Sequence, residues 1–127
     1  MSLRVLVCGS RAWTEPEPIR RELEALYAAG FEEVVHGGAM GADSLAGAIA
    51  HELGYSVRCV PADWRRHGRA AGPLRNARML SEHSPDLVLA FTHDLAKSRG
   101  TSDMVRKARE AGVQVRVIPT DAAGDAE

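Results

Sequence analysis

Glu33-Val34-Val35-His36-Gly37-Gly38-Ala39-Met40-Gly41-Ala42-Asp43 decides how this chain is read. Glu33 to His36 is a short run of strand type, and Gly37, Gly38 and Gly41 follow it directly. Beyond them Leu45, Ile49 and Leu53 recur at helical spacing until Gly54 closes the period. Strand, glycine turn and helix make up one unit of a parallel α/β fold.

The unit repeats on both sides. Upstream, Leu3 to Cys8 reads as a strand. Thr14 and Glu17 then suggest a capping box around Pro16, and Ile19, Leu23, Leu26 and Tyr27 line one helix face before Gly30. Downstream, Ser56 to Val60 is a third strand, and a long loop leads to a helix opening at Gly72-Pro73 and ending before Pro85. Asp86 to Phe91 is the fourth strand. A last helix from about Thr101 buries Met104, Val105 and Ala108, and Val113 to Ile118 is the fifth strand. The pattern predicts an α/β fold, a single Rossmann-like three-layer domain with a five-stranded parallel sheet covered on both faces. The domain is expected over residues 1–120, with residues 121–127 a flexible acidic tail.

Composition narrows the function classes. With 45% hydrophobic and 26% charged residues over 127 positions, the chain matches one ordinary globular domain. No apolar run reaches the roughly 18 residues of a membrane span, and no signal peptide precedes the first strand, so a cytoplasmic protein is expected. A net charge of −1 argues against a protein that coats nucleic acid. The charge is uneven, however: Arg58, Arg65, Arg66, Arg69, Arg75 and Arg78 face only Asp63 between positions 58 and 78. That segment is either a solvated loop or a local anion site. Cys8 and Cys59 each fall in a strand-like run and are read as small buried hydrophobes. Without a CxxC or a His/Cys cluster, no metal site is expected, and no cofactor. Homo-oligomerisation is left open.

In an open parallel sheet the strand-to-helix loops share the carboxyl edge, where ligands bind. Here those loops hold nearly all the unusual residues, while the helix-to-strand connections are plain. The glycines of 37–41 let a ligand approach backbone amides closely, and the helix behind them offers its positive end. The amides of Gly38 to Ala42 are therefore the expected phosphate cradle. The segment is neither a Walker loop nor the GxGxxG fingerprint. Asp43 either caps its helix or faces a sugar hydroxyl. Gly9, Ser10 and Arg11 can close the cradle from the first loop. Arg75 and Asn76, placed in the first turn of their helix, suit an anion contact. Trp64 either stacks on a base or packs over its loop. His36 and His67 lack a Ser or Cys partner and are read as local hydrogen-bonding residues.

Val7 to Arg11, His36 to Asp43, Pro61 to Trp64, Gly72 to Met79 and Gly100 to Met104 together resemble the SLOG superfamily, which includes LOG phosphoribohydrolases and DprA proteins. The likeness is greatest to its small YspA-like, YpsA-related branch. It implies a Rossmann-like fold and a nucleotide or nucleotide-derived ligand. It extends the ligand-binding set (Gly9, Ser10, Arg11, Gly37, Gly38, Ala39, Gly41, Asp43, Trp64, Arg75, Asn76) to Gly100 and Thr101. LOG enzymes carry Gly-Gly-x-x-Gly, Arg-x-x-x-Met and Pro-Gly-Gly-x-Gly-Thr-x-x-Glu. Gly37 to Gly41 and Arg75 to Met79 match the first two. In the third, Lys97 and Arg99 stand among the expected glycines, and Asp103 follows Thr101 by two residues instead of three. One residue turns a helix by about 100°, so the enzyme's Glu has no clean equivalent. Asp103 and Arg75 are the catalytic candidates if the chain is an enzyme. The expected function is nucleotide binding or sensing, with N-glycosidic hydrolysis of nucleotide 5′-monophosphates as the alternative. A DprA-like DNA contact and a molybdenum-cofactor carrier are the remaining readings.

Overall fold

Strand β1 (Leu3–Gly9) sends successive side chains into two different cores. Val5 and Val7 join Ile19, Leu23, Val34, Ile49, Leu89 and Phe91, whereas Leu6 and Cys8 join Val35, Met79, Val88, Met104 and Val105. A strand covered on both faces has no polar side, which is why its sequence is a continuous apolar run and not an alternating one. The same holds for β2 (Phe31–His36) at its carboxyl half and for all of β4 (Leu87–Phe91). Each large side chain buried in this way contributes about 1.5–3 kcal/mol.

The computed structural model describes residues 2–119, so the tail expected over 121–127 lies outside the described residues. Five parallel strands, completed by β3 (Ser56–Cys59) and β5 (Gln114–Ile118), stand in the order β3-β2-β1-β4-β5. Helices α1 (Pro16–Ala28) and α2 (Ala42–Leu53) cover one face. After β3 the chain forms the one-turn helix α3 (Trp64–His67). It then runs through α4 (Ala71–His83), which returns across the sheet to β4. With α5 (Arg99–Glu110), α4 covers the opposite face. The winding therefore reverses between β1 and β4, and the loops leaving those two strands part to opposite faces. That divergence opens a crevice at the carboxyl edge. Among the described residues no helix is long and apolar enough to cross a membrane.

Several local expectations are corrected. The Thr14–Glu17 capping box does not form: Glu15 is the N-cap and makes no side-chain bond. Instead Trp13 is buried against Phe91 and His93, and its indole Nε1 donates to the Glu15 carbonyl at 2.6 Å. Pro16 at the helix start has no amide to satisfy, which lowers the demand for a cap. The long third loop is partly helical, because Asp63 accepts from the Arg66 amide and caps α3. Helix α4 starts at Ala71, so Arg75 and Asn76 lie beyond its first turn. Helix α5 starts at Arg99, earlier than expected.

Cys59 is also corrected. It is exposed, because β3 is a four-residue edge strand, while Cys8 on central β1 is buried. The other edge, β5, likewise carries an exposed cation, Arg116, matching Arg58 on β3. Glu33 on β2 accepts from both Arg58 and Arg4 and so ties three strands together. Burial pushes the Cys8 thiol far above its ordinary value, with the Asp43 charge adding to the shift. The native protein is accordingly expected to react with one equivalent of a thiol-titrating disulfide reagent at Cys59, and with a second only after denaturation. Rapid reaction of two thiols in the folded state would contradict this arrangement.

Candidate functional site

Between His36 and Ala42 the backbone must turn out of β2 and enter α2 while passing close to the first loop. Gly38 and Gly41 take φ of 75° and 76°, a region costly for residues with a Cβ. At Gly41 a Cβ would also run into the carbonyls of Ser10 and Arg11. That close approach lets the Ala42 amide donate to the Ser10 carbonyl at 3.1 Å, joining the loops after β1 and β2.

Most of the loop's amides are already committed. Gly37 and Ala39 donate to Asp43 Oδ2 at 2.9 and 3.3 Å, and Gly38 donates to His36 Nδ1 at 3.0 Å. The amides of Met40 and Gly41 have no partner among the described residues. Of the cradle expected over Gly38 to Ala42, these two remain available, at the positive end of α2. Asp43 does not cap its helix. The N-cap is Gly41, and Asp43 reaches back to brace the loop upstream. Its Oδ1 has no partner among the described residues, so one acceptor remains for a ligand hydroxyl. Burial raises the Asp43 carboxyl above the ordinary range, against the two amide bonds and the Arg75 charge.

Arg75 is also partly committed. Its Nη1 donates to the carbonyls of Gly37 at 2.7 Å and Val60 at 3.4 Å, and its Nε donates to Asn76 Oδ1. Nη2 has no partner among the described residues. Asn76 Nδ2 donates to the Gly100 carbonyl and to Asp103 Oδ2 at 3.0 Å. Asp103 further accepts from Lys107 Nζ at 2.7 Å and from Arg106 Nη2 at 2.8 Å. Burial alone would raise its carboxyl; the bonds from Lys107 and Asn76, with the charges of Lys107 and Arg106, outweigh that and hold it below the ordinary value.

These loops enclose an open cleft of about 1370 Å³. Gly9, Ser10, Arg11, Gly37, Gly38, Ala39, Asp43, Trp64, Arg75, Asn76, Gly100, Thr101 and Asp103 all line it. Gly41 does not; it acts by allowing the two loops to touch. Trp64 is 51% exposed, with its ring edge against Gly72, where an added Cβ would lie 3.4 Å away. Met40, Arg69, Lys97 and Arg99 are on the wall but outside the sequence-derived site. Lys97 and Arg99 stood where the resemblance puts glycines, Arg69 stood in the arginine run, and the amide of Met40, 72% exposed, belonged to the expected cradle.

Strand order, reversal point and cleft together define a Rossmann-like α/β domain. The YspA, cpYpsA-related SLOG family matches over residues 3–67, and the chain belongs to that family. The gene 61 protein of Mycobacterium phage D29 is 39% identical over 119 residues, covering 88% of this chain and 93% of its own length. Among solved structures, the DNA processing protein A of Streptococcus pneumoniae superposes with a TM-score of 0.77 at 20% identity. An NADH-dependent reductase, A1-R′, complexed with NAD, superposes with a TM-score of 0.53 at 16% identity. The matches cover 98% and 99% of this chain but only 54% and 62% of those two, and at such identities they show the fold alone.

His36 offers a pH test of the loop. Burial, then the Arg75 charge, lowers its pKa below 6.5, so the folded protein binds fewer protons here than the unfolded chain. The contribution is fully present above about pH 6.5 and is lost as pH falls below it. Urea denaturation at stepped pH is expected to show this loss in the wild type and a shallower one in His36→Asn, which keeps an acceptor for Gly38. Identical pH slopes in the two proteins would remove His36 as the loop's support.

Proposed function

We propose that this chain is a nucleotide-binding or nucleotide-sensing domain and that it binds its ligand without cleaving it. The uncommitted amide of Met40, on the cleft wall near the positive end of α2, supports a phosphoryl group there, with Arg11 and Arg75 on the same wall. The half-exposed Trp64 ring supports base stacking. Gly100 and Thr101 form the opposite wall.

The observation that carries the reading is the state of Asp103. Breaking an N-glycosidic bond builds positive charge on the sugar, and a carboxylate must meet it. Asp103 is already bonded to Asn76, Lys107 and Arg106, so its charge is spent within the protein. Hydrolysis of nucleotide 5′-monophosphates stands as the second reading, because Asp103 lines the cleft beside Arg75 and is held ionised. Asp103 and Arg75 are the catalytic residues of that reading. The DNA-processing role named for the pneumococcal neighbour is not adopted, since the near-neutral chain lacks the basic balance of a nucleic-acid coat.

Calorimetry with adenine and guanine nucleotides is expected to give measurable binding, with no free base by chromatography. Base release at about 1 s⁻¹ or faster, abolished in Asp103→Asn, would make the hydrolase the correct reading. Arg75→Ala is expected to weaken binding roughly 10- to 150-fold, as for loss of a hydrogen bond to a charged group. Arg75→Lys should recover only part of it, lacking the planar fork; wild-type affinity in Arg75→Lys would exclude a fork contact.

A further inference from the structure

The charges of the carboxyl edge are sorted in an unusual way. Away from the cleft, most cations have an acid partner: Arg4 and Arg58 on Glu33, Arg20 on Glu52, Arg78 on Glu82, Arg106 and Lys107 on Asp103, Arg116 on Glu22. On the cleft wall stand Arg11, Arg69, Arg75, Lys97 and Arg99, and none has a carboxylate within 4 Å among the described residues. Acids are not missing from these loops. They are turned to other partners: Asp43 to the Gly37 and Ala39 amides, Asp63 to the Arg66 amide, Asp94 to the Ala96 amide. The result is a cleft with five cations that have no carboxylate within 4 Å and one acid, Asp43, that has no cation at that distance, on a chain of net charge −1.

Arg11, Arg69, Lys97 and Arg99 are exposed and Arg75 is half-buried, so their mutual repulsion is screened by solvent, but together they make a positive field that favours a polyanion. One phosphoryl group carries about −1.5 to −2 at neutral pH. It would leave roughly half of this excess in place. The cations also come from separate segments: the loop after β1, the loop after β3, α4, and the loop after β4 that starts α5. With three free oxygens, a single phosphoryl group at the Met40 amide offers too few acceptors for cations drawn from all these segments.

We infer that the ligand is a nucleotide bearing two or more phosphoryl groups, the second anion being held by Lys97 and Arg99 at the start of α5. This rests on the nucleotide-binding reading and narrows it to a class. A nucleoside di- or triphosphate and a nucleoside bisphosphate share the required charge; a pyrophosphate-linked dinucleotide, with one charge per phosphorus, does not. A cleft of about 1370 Å³ exceeds the roughly 300–1,000 Å³ of ordinary ligand pockets, which suits the larger ligand.

The test is calorimetry at physiological salt on the full chain with AMP, ADP, ATP, adenosine 3′,5′-bisphosphate, NAD and a short oligothymidylate, repeated with the guanine series. Affinity is expected to rise at least tenfold from the monophosphate to the best polyphosphate or bisphosphate, with NAD near the monophosphate. Whether ADP and ATP or the bisphosphate gains more separates contiguous from divided phosphoryl groups. The double variant Lys97→Ala/Arg99→Ala should shrink that ratio to threefold or less. Arg109→Ala, which removes an exposed cation on the far end of α5 with no ion pair among the described residues, should leave the ratio unchanged and so controls for net charge. Equal affinity for mono- and polyphosphates overturns this inference while leaving nucleotide binding intact. A preference for the oligothymidylate overturns it in favour of a nucleic-acid strand. An absence of binding by every nucleotide overturns the underlying reading as well.

Discussion

The Asp43 carboxylate is the interaction on which the carboxyl edge depends. It is buried in the first turn of α2, and burial of a charge is costly unless hydrogen bonds replace the lost water. The Gly37 and Ala39 amides supply those bonds and in doing so fix the turn out of β2. With that turn fixed, the Gly37 carbonyl faces Arg75, the Gly38 amide faces His36, and Gly41 brings α2 against the first loop. The same bonds decide which amides face the cleft. A glycine-rich loop is usually imagined as a row of equivalent donors; here Asp43 and His36 consume most of the row, and of the two amides left over only that of Met40 belongs to a residue on the cleft wall.

The fold was legible because each element left a periodic trace. Central strands buried on both sides are continuous apolar runs, helices repeat at 3.6, and loops at one edge collect the irregular residues. The edge strand β3 misled for a physical reason. Val57 and Cys59 look like the interior of a strand, but nothing in the local sequence says that the strand is last in the sheet, and so Cys59 is exposed. The Thr14–Glu17 pattern failed because Trp13, two aromatic contacts deep in the core, sets the path into α1 more firmly than a surface hydroxyl can.

The site was legible as membership and illegible as connectivity. Loop position brought Ser10 and Arg11 to the cleft, an expected helix start brought Arg75 and Asn76, and the family resemblance brought Asp103. Which partner each would choose depended on distances that sequence does not carry. Asp43 reads as a cap until the Gly37 amide is found in front of it. Asp103 reads as a shifted catalytic acid until Lys107, one turn further along α5, is found holding it. Arg69 and Arg75 lay in a visible run of arginines, yet only the fold separates these two, which reach the wall, from Arg58, Arg65, Arg66 and Arg78, which do not.

The sheet's two rims have a consequence for how the protein behaves in a crowded solution. An open sheet ends in unpaired backbone groups that can recruit a strand from another molecule, the first step toward aggregation. Here one rim is only four residues long, and each rim sets an exposed arginine, Arg58 or Arg116, in its middle, tied back to Glu33 and Glu22. A strand arriving from outside would have to displace those ion pairs and desolvate the guanidinium groups. The terminal strands are thereby poor templates for a strand from another molecule.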